Sequence, residues 1–192
     1  LLPNFFAEDG GTPAYNTVDA SLWFFWTVQQ YLHYGGNPEC VRERFWPVMK
    51  RIVTRFREGT RLGIGMDDRG LLHAGDGAAA LTWMDALVEG KPVTPRDGYA
   101  VEINALWYNA LAFVERMSKR FGKEAFDLED LLRKIRQSFQ DTFWIESEQY
   151  LGDVHSRGRL DRAIRPNQIL AVSLPFTPLD PFKWKAMVRT VS

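Results

Sequence analysis

Apolar positions along this chain predict helices separated by long loops. Residues 18–34 (VDASLWFFWTVQQYLHY) are apolar on nearly every side, which predicts a deeply buried helix, with Asn16 and Thr17 as N-caps and Gly35-Gly36 as its end. After Asn37-Pro38 a second helix is expected over residues 39–58. There Val41, Phe45, Val48, Met49, Ile52, Val53 and Phe56 fall at three- and four-residue spacing, Arg and Lys occupy a solvated face, and Pro47 is expected to kink the run. Residues 62–74 are punctuated by glycine around Asp68-Arg69-Gly70 and read as a small hairpin or an ordered loop. Residues 81–95 read as loop with one turn of helix. Amphipathic helices follow over residues 101–121, stopped by Gly122, and 128–144, then a β-like or irregular stretch over 145–155. An apolar run over 169–176 is broken by Pro175, Pro178 and Pro181 before a last helix that stops mid-pattern.

Helical hairpins with residue-rich loops at one end describe an all-α architecture, part of an α/α toroid, with short β-hairpins or irregular loops at the site end. The expected domain organisation is a single segment over residues 1–192. Composition narrows the function classes. Hydrophobic residues at 45% and charged residues at 25% argue against disorder. Lys+Arg and Asp+Glu are 24 each, so charge gives no case for nucleic acid or an anionic membrane, and no apolar run is long enough to span a bilayer. Cys40 is the single cysteine, which suits a reducing, cytoplasmic compartment. No His/Cys cluster has metal-ligand spacing, and no dinucleotide, phosphate-loop or nucleophile-elbow motif is present, so neither metal nor cofactor is expected. The chain opens Leu1-Leu2-Pro3 with no initiator Met or signal-peptide pattern, and an excised piece of a longer protein is expected.

Aromatic content of 14%, with 7 Trp, needs a use. The densest stretch is residues 71–109, where Trp83 and Asp85 precede a Pro-flanked Arg96, and Glu102 opens a run rich in Trp, Tyr and Asn. Indole faces stack on the C–H faces of sugars, while carboxylates, amides and guanidinium groups take the hydroxyls. A saccharide is the ligand this mixture suits.

At these residues the chain resembles a family. Asp9-Gly10-Gly11 with residues 13–23 (PAYNTVDASLW) is similar to the opening segment of glycogen debranching enzyme glucosidase domains. LTWMDA (81–86), VTPR (93–96), VEINALWYNAL (101–111) and IRPNQ (164–168) resemble further segments in order. The resemblance implies a six-hairpin α/α toroid, glucoamylase-like in architecture. It also implies inverting hydrolysis of the α-1,6-linked glucose stub of branched α-glucan without a cofactor, and a general acid at Asp85. Such chemistry needs one carboxylic acid that stays protonated, a state apolar surroundings favour, and a second carboxylate that activates water roughly 6.5–9.5 Å away.

The remaining residues carry paired readings. Asp19 is either a helix-dipole partner or a hydroxyl ligand. Trp23, Trp83 and Trp107 are stacking platforms or core, with Trp83 the best placed. Tyr15, Asn16 and Asn104 are hydroxyl ligands, Asn16 equally a cap. Glu102 takes substrate hydroxyls or positions Arg96. Arg165 and Asn167 lie in a loop of the catalytic type, and Arg165 is alternatively an ion-pair partner for Asp161 or Asp153. An upstream glycine-arginine-aspartate segment and the C-terminal helices expected to bear the base are absent from these 192 residues, so the piece alone is expected to be inactive and to self-associate. The competing functions are another α/α-toroid glycosidase, trehalase- or glucoamylase-like, and a non-catalytic glucan-binding module.

Overall fold

The computed structural model describes residues 1–75, 80–122 and 127–191, about half of them helical, with two- and three-residue strands between helices. Helix α1 (Asp19–His33) starts without a side-chain cap: Val18 holds the N-cap position, and its N–H donates to the Leu81 carbonyl at 2.9 Å. Thr17 is buried and Asn16 is exposed, and Val18 stands at the N-cap instead, so neither is the predicted cap. A long-range backbone bond does that work, and Asp19 adds the negative charge a helix start favours. One face of α1 is buried, through Leu22, Phe25, Val28 and Gln29. The all-round burial expected here is not realised, because Trp26 and Tyr31 stay exposed and pair edge-on with Trp23 and Phe45.

The second helical run is continuous but changes pitch. Helix α2 (Pro38–Cys40) passes through a π-helical turn (Val41–Phe45) into α3 (Trp46–Glu58). The Trp46 N–H reaches back five residues to the Val41 carbonyl, and Pro47 follows with no N–H to offer. The proline is thus absorbed by a wide turn. Strands β1 (Gly65–Met66) and β2 (Leu72–His73) form the hairpin anticipated over residues 62–74. Its turn needs glycine at 70: φ is +85°, and a Cβ there would lie 2.6 Å from Ile135 Cγ1. Strands β3 (Leu87–Val88) and β4 (Lys91–Pro92) form a hairpin where a turn of helix was expected.

Strand β5 (Tyr99–Ala100) runs directly into α4 (Val101–Phe121), against which α1, α3, α5 (Glu129–Phe143) and α6 (Leu170–Ser173) pack. Every side of α4 is buried in its first turns, so that half of α4, rather than α1, is the part enclosed all round. Its buried polar groups each tie down a different segment. Asn104 clamps Leu72 and Ala100, Asn109 exchanges two 3.1 Å amide bonds with Gln29, and Glu115 accepts from the Leu128 N–H. Buried polar groups are tolerated only when so partnered.

After α5 come the β6 (Trp144–Ile145) and β7 (Tyr150–Leu151) hairpin, then β8 (Val154–Ser156) and β9 (Arg159–Leu160). β8 lies between β5 and β9 in an antiparallel sheet, with Tyr99 opposite His155 and Ala100 opposite Val154. A 3-10 turn (Pro166–Ile169), α6 and α7 (Pro181–Val191) complete the order. No helix among the described residues is long and apolar enough to cross a membrane.

Candidate active site

The β5–β8 register decides which charges meet. It places Asp153, one residue before β8, beside the start of α4, where the Val101 N–H donates to the Asp153 carbonyl at 2.9 Å. The approach is close: Gly98 has φ +103°, and a Cβ on it would lie 2.6 Å from the His155 carbonyl oxygen. Arg96 enters from the loop before this crossing and Glu102 from the first turn of α4.

Arg96, Glu102 and Asp153 form a buried ion-pair network, with side-chain exposures of 3%, 1% and 1%. The guanidinium donates from Nη1 and Nη2 to both Glu102 oxygens, from Nε to Asp153 Oδ2 at 3.1 Å and from Nη2 to Asp153 Oδ1 at 2.8 Å. Nη1 also reaches Thr82 Oγ1 at 3.2 Å. Asp153 accepts further bonds from Arg165 Nη1 and Asn167 Nδ2, each at 2.9 Å. Arg165 bridges on to Asp161 at 2.9 Å. Two arginines thus face three carboxylates. Burial alone would lower the Arg96 guanidinium, but Glu102 and Asp153 hold it above its ordinary value. Burial pushes Glu102 up, against the pull of Arg96. The slight burial of Asp161 is outweighed by the Ala163 N–H and Arg165, which keep its carboxyl below the usual range.

This network carries the Thr82–Asp85 segment. Leu81 is fixed by its carbonyl to Val18, Thr82 is buried on Arg96, and Met84 is half-buried with its sulfur 3.5 Å from Asn167 Nδ2. The alternate residues, Trp83 and Asp85, are exposed, Trp83 at 54%. An indole face and a carboxylate are therefore presented on a segment whose intervening side chains are anchored. Asp19 is the nearby buried carboxylate: it is 8% exposed, and its Oδ1 has no hydrogen-bond partner. Burial raises its pKa, the Thr17 hydroxyl and backbone N–H groups of Asp19 and Ala20 oppose this, and the charge of Asp85 adds a further upward push. α1 and the acidic loop so bring two carboxyl groups within electrostatic reach.

Not every residue singled out in the sequence joins this group. Trp107 is fully buried, donating its indole N–H to the Gly70 carbonyl at 3.2 Å and packing on Phe56, so it has no face for a sugar. Asn104 is fully enclosed and its amide is spent on backbone groups of Leu72 and Ala100. Both corrections share one cause: α4 is core, not wall. Trp23 is half-buried, edge-on to Trp26. Tyr15 lies under Arg61, 5.3 Å from ring centroid to guanidinium carbon, and lines a separate open cavity of about 500 Å³ with Leu1, Arg51 and Arg55. Asn16 is exposed and its backbone N–H meets Asn4 at 3.5 Å. Arg96, Glu102, Arg165 and Asn167 do come together, as a network around Asp153. Arg165 pairs with both carboxylates named for it. Asp153 as the hub was not foreseen, since no motif marks it and only the sheet register brings it there. The stretch at 76–79, within the segment read as central, lies outside the described residues.

A family model described as amylo-alpha-1,6-glucosidase matches residues 1–192. The chain is also similar to glycogen debranching enzyme from Saccharomyces cerevisiae, 29% identical over 174 residues, a match covering 62% of this chain and 11% of that protein.

Proposed function

The chain belongs to the amylo-α-1,6-glucosidase family, and from that premise we propose that this protein hydrolyses the α-1,6-linked glucose stub of branched α-glucan, with Asp85 as general acid. The observation that carries the reading is the alternation over residues 82–85. Thr82 and Met84 are held by the ion-pair network, while Trp83 and Asp85 are left free to meet a ligand. A stub glucose stacks one face on Trp83. The Asp85 carboxyl protonates the glycosidic oxygen as the C1–O bond breaks, and water attacks C1 from the opposite face as a carboxylate base takes its proton. Glucose leaves with inverted configuration. Asp19, buried and with Oδ1 unpartnered, supplies a hydroxyl contact beside Asp85.

In this reading the base is supplied from outside residues 1–192, as the family resemblance implies. Glu102 and Asp153 are both enclosed, each oxygen of Glu102 is engaged by Arg96, and Asp153 is saturated by four guanidinium and amide donors, so neither is open to the water a base activates. The family's toroid is the frame this reading implies, with α4 in its core and the Trp83 loop at one mouth. Residues 1–192 alone are accordingly inactive. The single cysteine fits a cytoplasmic protein.

The test is glucose release from a dextrin bearing one α-1,6-glucosyl stub, by the full-length protein and its Asp85→Asn variant. Loss of about 10²–10⁴-fold with dextrin binding kept supports the acid role. A wild type that releases glucose only from α-1,4 or α,α-1,1 linkages replaces the substrate by that of another toroid glycosidase. Dextrin binding with no glucose released from any linkage makes the protein a glucan-binding module.

A further inference from the structure

Asp153 touches both supports of the acid-bearing segment. One arm runs from its carboxylate through Arg96 to Thr82 Oγ1, the other through Asn167 to Met84 Sδ. These arms end on alternate residues, and the side chains between and after them are Trp83 and Asp85. Glu102 also holds Arg96, but it has no bond to Asn167, so it governs one arm alone. The amide of Asn167 depends on Asp153 for its orientation: Nδ2 is bonded, while Oδ1 is buried without a partner. Asp153 itself is 1% exposed at its side chain and cannot touch a sugar.

We propose that Asp153 is the positioning residue of the general acid, setting the place of the Asp85 carboxyl through the Thr82 and Met84 anchors. The inference rests on Asp85 being the acid. A displacement of about 1 Å at a reacting group can cost on the order of 10²-fold in rate, so a group that never meets substrate can still govern turnover.

A substrate that needs no proton separates positioning of the acid from general loss of structure. α-Glucosyl fluoride loses fluoride on attack of water at C1 without protonation of the leaving group, so its turnover tests the base and the sugar site but not the acid. In the full-length protein, Asp153→Asn is expected to lower kcat on the α-1,6-stub dextrin by about 10–100-fold, leave KM unchanged and leave turnover of the fluoride close to wild type. Thr82→Val, which keeps the shape but removes the hydroxyl bonded to Arg96, is expected to show a smaller loss with the same selectivity. Should Asp153→Asn not fold, as judged by circular dichroism, Thr82→Val decides alone. Equal slowing of both substrates, or stub turnover unchanged in folded variants, overturns the inference. The wild type tells the two failures apart. No glucose from the stub overturns the function proposed above and this inference with it, whereas a normal wild type with parallel losses in the variants overturns only the positioning of the acid.

Discussion

Among individual residues, exposure separates the tryptophans that the sequence offers as stacking platforms. Trp83 is 54% exposed beside Asp85, while Trp107 is fully buried with its N–H bonded to Gly70. Maltodextrin should therefore change the intrinsic fluorescence of the protein through Trp83: Trp83→Phe removes the response and Trp107→Phe keeps it. The reverse pattern would move the sugar site to another face. Asn104 is a stability residue on the same reasoning. Asn104→Ala strands the Leu72 N–H and two carbonyls in the core, which should cost about 1–3 kcal/mol in urea unfolding without altering dextrin affinity. Asp19 links stability to pH. Its folded-state pKa is raised above the ordinary 3.8, so the folded state binds this proton more tightly than the unfolded chain. That contribution is fully present below 3.8 and is lost as pH rises through the folded value. Asp19→Asn, which cannot ionise, should match the wild-type Tm in acid and gain on it as pH rises toward neutrality. A constant Tm difference across that range would contradict the burial assignment.

Between elements, the sequence is legible where contacts are local. Three- and four-residue spacing located α4, α5 and the whole helical run from α2 to α3 to within a residue or so, because each buries one stripe or more of apolar side chains against its neighbours, but it did not show the π-helical turn that divides that run. It failed where a partner far along the chain decides the outcome. Asn16 and Thr17 look like caps, yet Leu81 takes that place through the Val18 N–H. The aromatics of α1 look like core, yet several cover one another at the surface. Asp85 was singled out by the family-like motif around it, but the place of Asp153 at the centre of the ion-pair network depends on β5–β8 pairing, which no local pattern encodes. That pairing has its own test. Gly98→Ala combines φ +103° with a 2.6 Å approach to the His155 carbonyl, and should destabilise the fold by about 1–3 kcal/mol. A thermal midpoint equal to wild type would show that the crossing is looser than the structure has it.

Across the whole molecule, the Trp83–Asp85 loop is flanked by an apolar hairpin. Leu87, Val88 and Val93 are more than half exposed close in sequence to Trp83 and Asp85, at 56%, 63% and 59%. A surface of this kind is normally covered by a partner segment or a ligand. Residues 1–192 on their own are therefore expected to self-associate in sedimentation velocity, and a Leu87→Ser, Val88→Ser variant to reduce it. A wild-type monomer at all concentrations would count against that surface as an interface. The proposed hydrolysis turns on Asp85 donating a proton to the leaving glucan. The most direct measurement is the ratio of α-glucosyl fluoride turnover to α-1,6-stub turnover in the full-length Asp85→Asn variant, relative to wild type. General acid catalysis by Asp85 predicts that this ratio rises by about 10²–10⁴-fold, because the stub needs the proton and the fluoride does not. A ratio that stays at the wild-type value, whether both activities fall together or both survive, would contradict Asp85 as the acid.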